Sequence, residues 1–244
     1  MKSWTMIVFL RSALFNVLFF AMTIAVMIGC LPLFLGPRRW VRKATNLWAR
    51  GVLHLLSAII GLRYRIVGIE NWPRGTGLIA ANHQSAWETI AFLALFPPTS
   101  YVLKKELLRL PLLGWYLRRL RMIAINRAGG GRALQRLLLE AKAEGEPRQI
   151  VIFPEGTRVP PGERRAFHSG VAALYSRLDL PITPVALNSG LFWRRRAFIK
   201  RPGIIDVEVM PAIPPGLARR RFMTELQDKI DAARQRLEKS AMET

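Results

Sequence analysis

The sequence predicts an α/β fold: a mostly parallel mixed sheet covered by helices on both sides, preceded by an N-terminal membrane-associated helical segment. Three observations predict it. Short β-rich runs alternate with helical stretches from Gly61 onward, an amphipathic helix closes the chain, and an uncharged apolar run of 24 residues stands near the start. The 244 residues suffice for one such domain with an appendage, and 51% of them are apolar, which excludes a disordered chain. The division falls after residue 60, with residues 1–60 as membrane-anchoring helices and residues 61–244 as the α/β domain.

Residues 12–35 carry no charge, and at 1.5 Å per residue a helix over them reaches roughly 36 Å, more than the hydrocarbon core of a bilayer. That length fits a spanning helix or one that dips into a single leaflet. Arg38, Arg39, Arg42 and Lys43 follow at once, and by the positive-inside rule they hold the rest of the chain on the cytoplasmic face. The apolar residues and basic cluster after Cys30 also oppose reading the start as a cleaved export signal. Residues 40–60 set Val41, Leu47, Trp48, Val52, Leu55, Leu56 and Ile59 at helical spacing with basic residues between them. This is the pattern of an interfacial helix lying on the headgroups.

The domain then reads as strands at 63–67 and 78–81, a helix at 87–96, a strand at 101–103 and a basic helical passage ending at Arg119. A strand at 122–125, a helix at 132–143 and a strand at 149–153 follow. A helix at 171–177, strands at 182–186 and 204–209, and a helix over 217–237 complete it, the last with Phe222, Leu226, Ile230 and Leu237 on one face. Strands separated by helices give a parallel sheet, which places functional residues in the loops after strand carboxyl ends. There is no P-loop or dinucleotide fingerprint, and Gly129-Gly130-Gly131 is a flexible loop.

Thirty-seven basic against sixteen acidic residues leave a net charge of +21. An anionic partner is expected: nucleic acid, a membrane surface, a phosphorylated substrate or an acidic carrier protein. Arginine accounts for 29 of the 37, which a biased coding composition would also produce. A single cysteine, Cys30, excludes an intramolecular disulfide and a cysteine-rich zinc module.

Two loops carry the chemistry. After the strand at 78–81 stands Asn82-His83-Gln84-Ser85-Ala86-Trp87-Glu88. A neutral imidazole there can act as general base at pH 7, and Glu88 can orient it and stabilise the imidazolium. The same Ser85-x-x-Glu88 is also a capping box, in which Glu88 merely satisfies an amide at the helix start. After the strand at 149–153 stands Phe153-Pro154-Glu155-Gly156-Thr157-Arg158. Its glycine lets backbone approach a ligand closely and its arginine offers a fork suited to phosphate, although such a hexapeptide alone is also an ordinary turn. Lys104 and Lys105 end one strand and Arg127 follows another; with the sheet so drawn, these cations converge on the edge that holds His83 and Arg158. His54 and His168 read as structural or surface residues.

The blocks at 82–88, Ile-Asn-Arg at 125–127, Phe-Pro-Glu-Gly-Thr-Arg at 153–158 and Thr-Pro-Val-Ala-Leu-Asn at 183–188 together resemble, in order and spacing, the four blocks of the glycerophospholipid acyltransferases. The resemblance covers residues 61–211. It implies that His83 is the catalytic base and Glu88 its acidic partner. It further implies that Glu155, Gly156, Thr157 and Arg158 with Arg127 form the phosphate-acceptor site, assisted by Lys105, and that Pro184 and Val185 shape the acyl-donor side. Two departures stand out. Glu88 occupies a position where the family most often has aspartate, and Phe167-His168-Ser169-Gly170 lacks the lysine usual in that segment.

The resemblance implies transfer of a fatty acyl group to the free hydroxyl of a lysophospholipid, 1-acylglycerol 3-phosphate giving phosphatidic acid, from acyl-CoA or acyl-carrier protein as co-substrate. It implies no metal or redox cofactor. Its partners would be membrane lipid, the lysophospholipid acceptor and the thioester donor. Nucleic acid is not expected, because many of the tryptophans lie in or near apolar segments rather than among cations. Two other readings remain open: an acyltransferase acting on a lyso-aminolipid of ornithine type, and a non-catalytic membrane protein that holds anionic lipid. Assembly state is not legible from the chain.

Overall fold

The computed structural model describes residues 2–125 and 149–243, so the helix expected over 132–143 and the side chain of Arg127 lie outside the described residues. The chain opens with α1 (Lys2–Gly29) and a 3₁₀ turn (Leu31–Leu35), then α2 (Arg38–Leu55), prolonged by one π turn (Leu56–Ile60). Gly61 ends that turn in the left-handed region at φ 76°, where a residue without Cβ is favoured. There follow β1 (Leu62–Val67), β2 (Gly77–Ala81), α3 (Trp87–Leu95), β3 (Thr99–Lys104), a 3₁₀ turn (Lys105–Arg109), α4 (Leu113–Arg119) and β4 (Ile123–Ile125). The remainder is β5 (Gln149–Ile152), α5 (Gly170–Leu178), β6 (Ile182–Leu187), β7 (Gly203–Val209) and α6 (Arg219–Glu243).

The seven strands form one sheet in the order β1-β7-β6-β2-β5-β3-β4. All neighbours run parallel except β6 and β7, which are antiparallel. β2 shows why both faces must be covered. Its alternate residues Ile79 and Ala81 pack into one core with α2 and α3, whereas Leu78 and Ala80 pack into a second core with α5 and α6. A strand buried on both sides reads as an unbroken apolar run, as 78–81 does. β2, β5 and β3 are adjacent and parallel, so their carboxyl ends, and the loops that follow them, open on the same edge of the sheet.

The amino-terminal segment departs from its expected form. α1 starts well before residue 12, takes in Arg11, and gives way at Gly29 to the 3₁₀ turn. Pro32 sits at the head of that turn, where a missing N–H costs no hydrogen bond. α1 buries Ser12 and Phe15 against the domain and leaves Phe9, Leu10, Val17, Phe20 and Ile24 exposed. α2 turns Val41, Ala49, Val52 and Leu53 inward, while Leu47, expected on the apolar face, is 72% exposed. The buried face of α2 packs on α3 instead of resting wholly on headgroups, because α3 and the sheet offer apolar surface of their own. One core therefore draws residues from both sides of the division at residue 60.

Candidate active site

The loop after β2 is built by side chains that imitate backbone. Asn82 Oδ1 accepts the Leu187 amide at 2.9 Å and its Nδ2 donates to the Leu187 carbonyl at 2.9 Å. This extends the β2–β6 pairing by one residue and aims the next, His83, out of the sheet. Gln84 Nε2 donates to Glu238 of α6 at 2.6 Å, and its Oε1 accepts the Gly190 amide at 3.0 Å. His83 is thus held between two anchored neighbours.

Glu88 carries both roles that its spacing allowed. Its Oε1 accepts the amides of Gln84 (2.8 Å) and Ser85 (2.7 Å), which is the capping half of the Ser85-x-x-Glu88 box. The same oxygen lies 2.7 Å from His83 Nδ1. Oε2 accepts the hydroxyls of Ser85 (3.0 Å) and Ser189 (2.8 Å). Burial alone would raise its pKa, but the His83 contact and the backbone bonds outweigh burial and hold it below the usual carboxylate value. A carboxylate only accepts, so Nδ1 of His83 carries the proton; in the neutral ring Nε2 is then the free base. Phe153 stacks on the imidazole at 4.1 Å between centroids, and Tyr101 stacks behind Phe153 at 6.0 Å. The ring has little freedom to turn.

The loop after β5 is fastened to the first. The Val159 amide donates to the His83 carbonyl at 2.7 Å, and Arg158 Nε donates to the Ser85 carbonyl at 2.8 Å. Glu155 Oε2 accepts the His83 amide at 2.6 Å. Glu155 is buried, which pushes its pKa up to about 8 despite that bond. Glu155 therefore braces the loop instead of meeting an anion. Gly156, at φ 67°, donates its amide to the Phe153 carbonyl at 2.9 Å, and this closes the turn that turns Thr157 and Arg158 toward the site.

His83, Gly156, Thr157 and Arg158 line one cavity of about 700 Å³. Lys104, Arg195 and Arg196 line it as well as Arg158, and much of its wall is apolar, with Val26, Trp48, Leu93 and Leu117 among the lining residues. Lys104 lines it but Lys105 does not: β3 runs one residue beyond its expected end, and Lys105 opens the exposed 3₁₀ turn that follows. Pro184 and Val185 also lie outside the lining, since both sit within β6 where each face is buried. The fourth block acts through Ser189, one residue beyond it, on Glu88. Ser189, Tyr101, Glu238, Arg195 and Arg196 were not picked out from the sequence. Ser189, Tyr101 and Glu238 belong to unremarkable local patterns; the run of three arginines at 194–196 is the one local signal, and it does not tell where the run lies in the fold.

A family model described as Acyltransferase matches residues 63–188. A 1-acyl-sn-glycerol-3-phosphate acyltransferase of Pseudomonas aeruginosa is 36% identical over 228 residues, covering 91% of this chain and 88% of its own. A protein of the same organism named lyso-ornithine lipid O-acyltransferase is 30% identical over 176 residues, covering 67% of this chain and 66% of its own. The crystal structure of the 1-acyl-sn-glycerophosphate acyltransferase from Thermotoga maritima superimposes with a TM-score of 0.76 over 93% of this chain and 96% of that one, at 21% identity. It shares the fold.

Proposed function

The chain belongs to the acyltransferase family and is an acyltransferase of the lysophospholipid type, and from that premise we propose that it moves a fatty acyl group from a thioester donor to the free hydroxyl of 1-acylglycerol 3-phosphate, giving phosphatidic acid. One observation carries the reading: a carboxylate-held imidazole and a guanidinium, tied together through the His83–Ser85 backbone, line a single cavity with a largely apolar wall. His83 Nε2 takes the proton of the acceptor hydroxyl as its oxygen bonds to the thioester carbonyl carbon. The carbon–sulfur bond then breaks, and the imidazolium returns the proton to the departing thiolate. Glu88 steadies the imidazolium, Arg158 with Arg127 and Lys104 grips the acceptor's phosphate, and the backbone amide after Gly156 meets the developing oxyanion. The apolar part of the cavity houses acyl chain. Written this way the reaction balances without a covalent acyl-enzyme, a metal or a redox cofactor.

The donor is acyl-CoA or acyl-carrier protein, each anionic, and a chain of net charge +21 speeds encounter with either. We assign residues 1–60 to anchoring. α1 contains a span, Thr5–Gly29, long and apolar enough to cross a membrane, and the basic cluster from Arg38 to Lys43 keeps the α/β domain on the cytoplasmic face. Acceptor and product are lipids, so this seating holds the cavity where they dissolve.

The test is purified protein with lysophosphatidic acid and either donor, wild type beside His83→Ala. The expected result is phosphatidic acid from the wild type and a rate at least about a hundredfold lower in the variant; near-normal turnover in the variant overturns the general base. A second reading has a lyso-aminolipid as acceptor, and the relative named lyso-ornithine lipid O-acyltransferase supports it. Glycerol 3-phosphate analogues compete with the acceptor under the first reading and not under the second.

A further inference from the structure

Between β6 and β7 the chain carries three consecutive arginines, Arg194, Arg195 and Arg196, in a turn closed by the Ala197 amide donating to the Arg194 carbonyl at 3.1 Å. Arg195 and Arg196 are its two central residues. Arg196 has φ 58°, a left-handed conformation at the turn position where glycine or asparagine normally stands, so the chain keeps an arginine there against local preference. The turn is also braced from below. The Arg201 amide donates to the Phe192 carbonyl at 2.9 Å and closes the loop at its base. Trp193 meets Phe15 of α1 edge-on at 5.7 Å. Lys200 is buried and donates its Nζ to Asn16 Oδ1 of α1 at 2.6 Å and to the Phe198 carbonyl at 3.0 Å.

This braced, strained turn delivers both arginines to the lining of the cavity that holds His83, Thr157 and Arg158. Among the described residues, none of Lys104, Arg158, Arg195 and Arg196 is ion-paired with a carboxylate. Burial lowers the pKa of Arg158, the Glu88 carboxylate works against that, and the nearby charge of Arg195 lowers it further, so the two guanidiniums share one neighbourhood. Like charges held together by a rigid scaffold repel until an anion lies between them, and a dianionic phosphate has oxygens enough for two forks.

We infer that Arg195 and Arg196 are a second guanidinium arm of the site to which Arg158 belongs, and that its guest is the phosphomonoester of the acceptor. The inference rests on the proposed acceptor, and phosphates of the thioester donor are the other source of the same chemistry. Steady-state kinetics of Arg195→Ala, Arg196→Ala and the double variant, varying acceptor and donor separately, distinguish the two. The expected result is an acceptor KM raised about tenfold or more in the double variant, with kcat and donor KM within about threefold of wild type. An unchanged acceptor KM, or a rise confined to the donor, overturns the inference. Arg196→Gly adds a readout that a structural role would not give: relief of the left-handed strain keeps or raises the melting temperature while the acceptor KM still rises. Binding of glycerol 3-phosphate, measured by calorimetry in the His83→Ala background, needs no turnover. Loss of that binding on adding the double substitution supports the arm even if lysophosphatidic acid proves not to be the acceptor, and undiminished binding overturns it.

Discussion

Glu88 caps a helix and holds the His83 ring with one carboxylate, and the two contacts reinforce each other. Five groups donate to it: two amides, two hydroxyls and the His83 ring. Glu88→Gln turns one end into a donor facing donors, so the variant is expected to lose about a hundredfold or more in kcat and to melt lower. Glu88→Asp keeps the charge and shortens the reach, and is expected to retain more activity than the amide; equal loss in both would remove the orienting role. Glu155 gives a pH signature instead. Its carboxyl shifts from an ordinary 4.5 to about 8 in the fold, so between those values the folded protein binds a proton that the unfolded chain has lost. That contribution to stability is complete below the lower value and declines as pH rises through the higher one. Glu155→Gln is expected to flatten the fall in melting temperature between pH 5 and pH 9; parallel curves for variant and wild type would show that the carboxyl is not held neutral. The His83 and Glu88 pair was legible because five residues separate them and both belong to one loop-to-helix junction. Ser189 was not, because it lies 101 positions from Glu88 and only the β2–β6 pairing brings it near. Lys104 took the place expected of Lys105 because a strand end is uncertain by about a residue or two, and in a strand one residue reverses the direction of a side chain.

At the scale of elements, the carboxyl ends of adjacent parallel strands make the site, and α6 holds it from behind. Glu238 of α6 pairs with Arg234 at 2.9 Å, accepts Gln84 Nε2 at 2.6 Å and accepts the Gly162 amide at 2.9 Å. Both charges are buried. Glu238→Ala leaves the buried Arg234 a longer ion pair to Asp231 at 3.7 Å, a carboxylate that Arg164 also holds, and frees Gln84, so a loss of about 1–3 kcal/mol is expected from denaturant unfolding. Lower kcat should accompany it, because Gln84 sits next to His83, the proposed base. A cost under about 1 kcal/mol would mean that α6 only covers the sheet. The period of Phe222, Leu226 and Ile230 predicted the buried face of α6, and all three are fully buried. Its charged pair stayed hidden, since an Arg and a Glu four apart on a helix ordinarily read as a solvated pair. The alternation of strands and helices disclosed a mostly parallel mixed sheet, but not that β3 and β4 would continue the sheet beyond β5 or that β7 would pair antiparallel with β6 and parallel with β1. Strand order and direction depend on how the connecting segments fold back across the sheet, and they leave no local pattern in the strands themselves.

For the whole molecule, the proposed seating at a lipid surface would draw on two forces of different salt dependence. A net charge of +21 attracts anionic headgroups, but at 1 M salt the screening length contracts to about 3 Å and that attraction is largely lost. Apolar surface responds oppositely, because hydrophobic burial does not weaken with added salt. α1 leaves Phe9 at 48%, Leu10 at 58%, Val17 at 66% and Phe20 at 60% exposure, more apolar area than a water-soluble surface carries without a partner. Membranes bearing the protein are therefore expected to retain it through a 1 M salt wash. Deleting α1 would be a poor test of the cause, since Thr23, Val26 and Met27 also line the cavity and Phe15 belongs to the core. Replacing Leu10, Val17 and Phe20 together by serine, while keeping Phe9 because it packs on Phe198, changes mainly the exposed face. The variant is expected to fold, to keep the cavity, and to leave the membrane in high salt as a protein held by charge alone. Release of the wild type under the same wash would mean that headgroup attraction, and not the apolar helix, seats the enzyme.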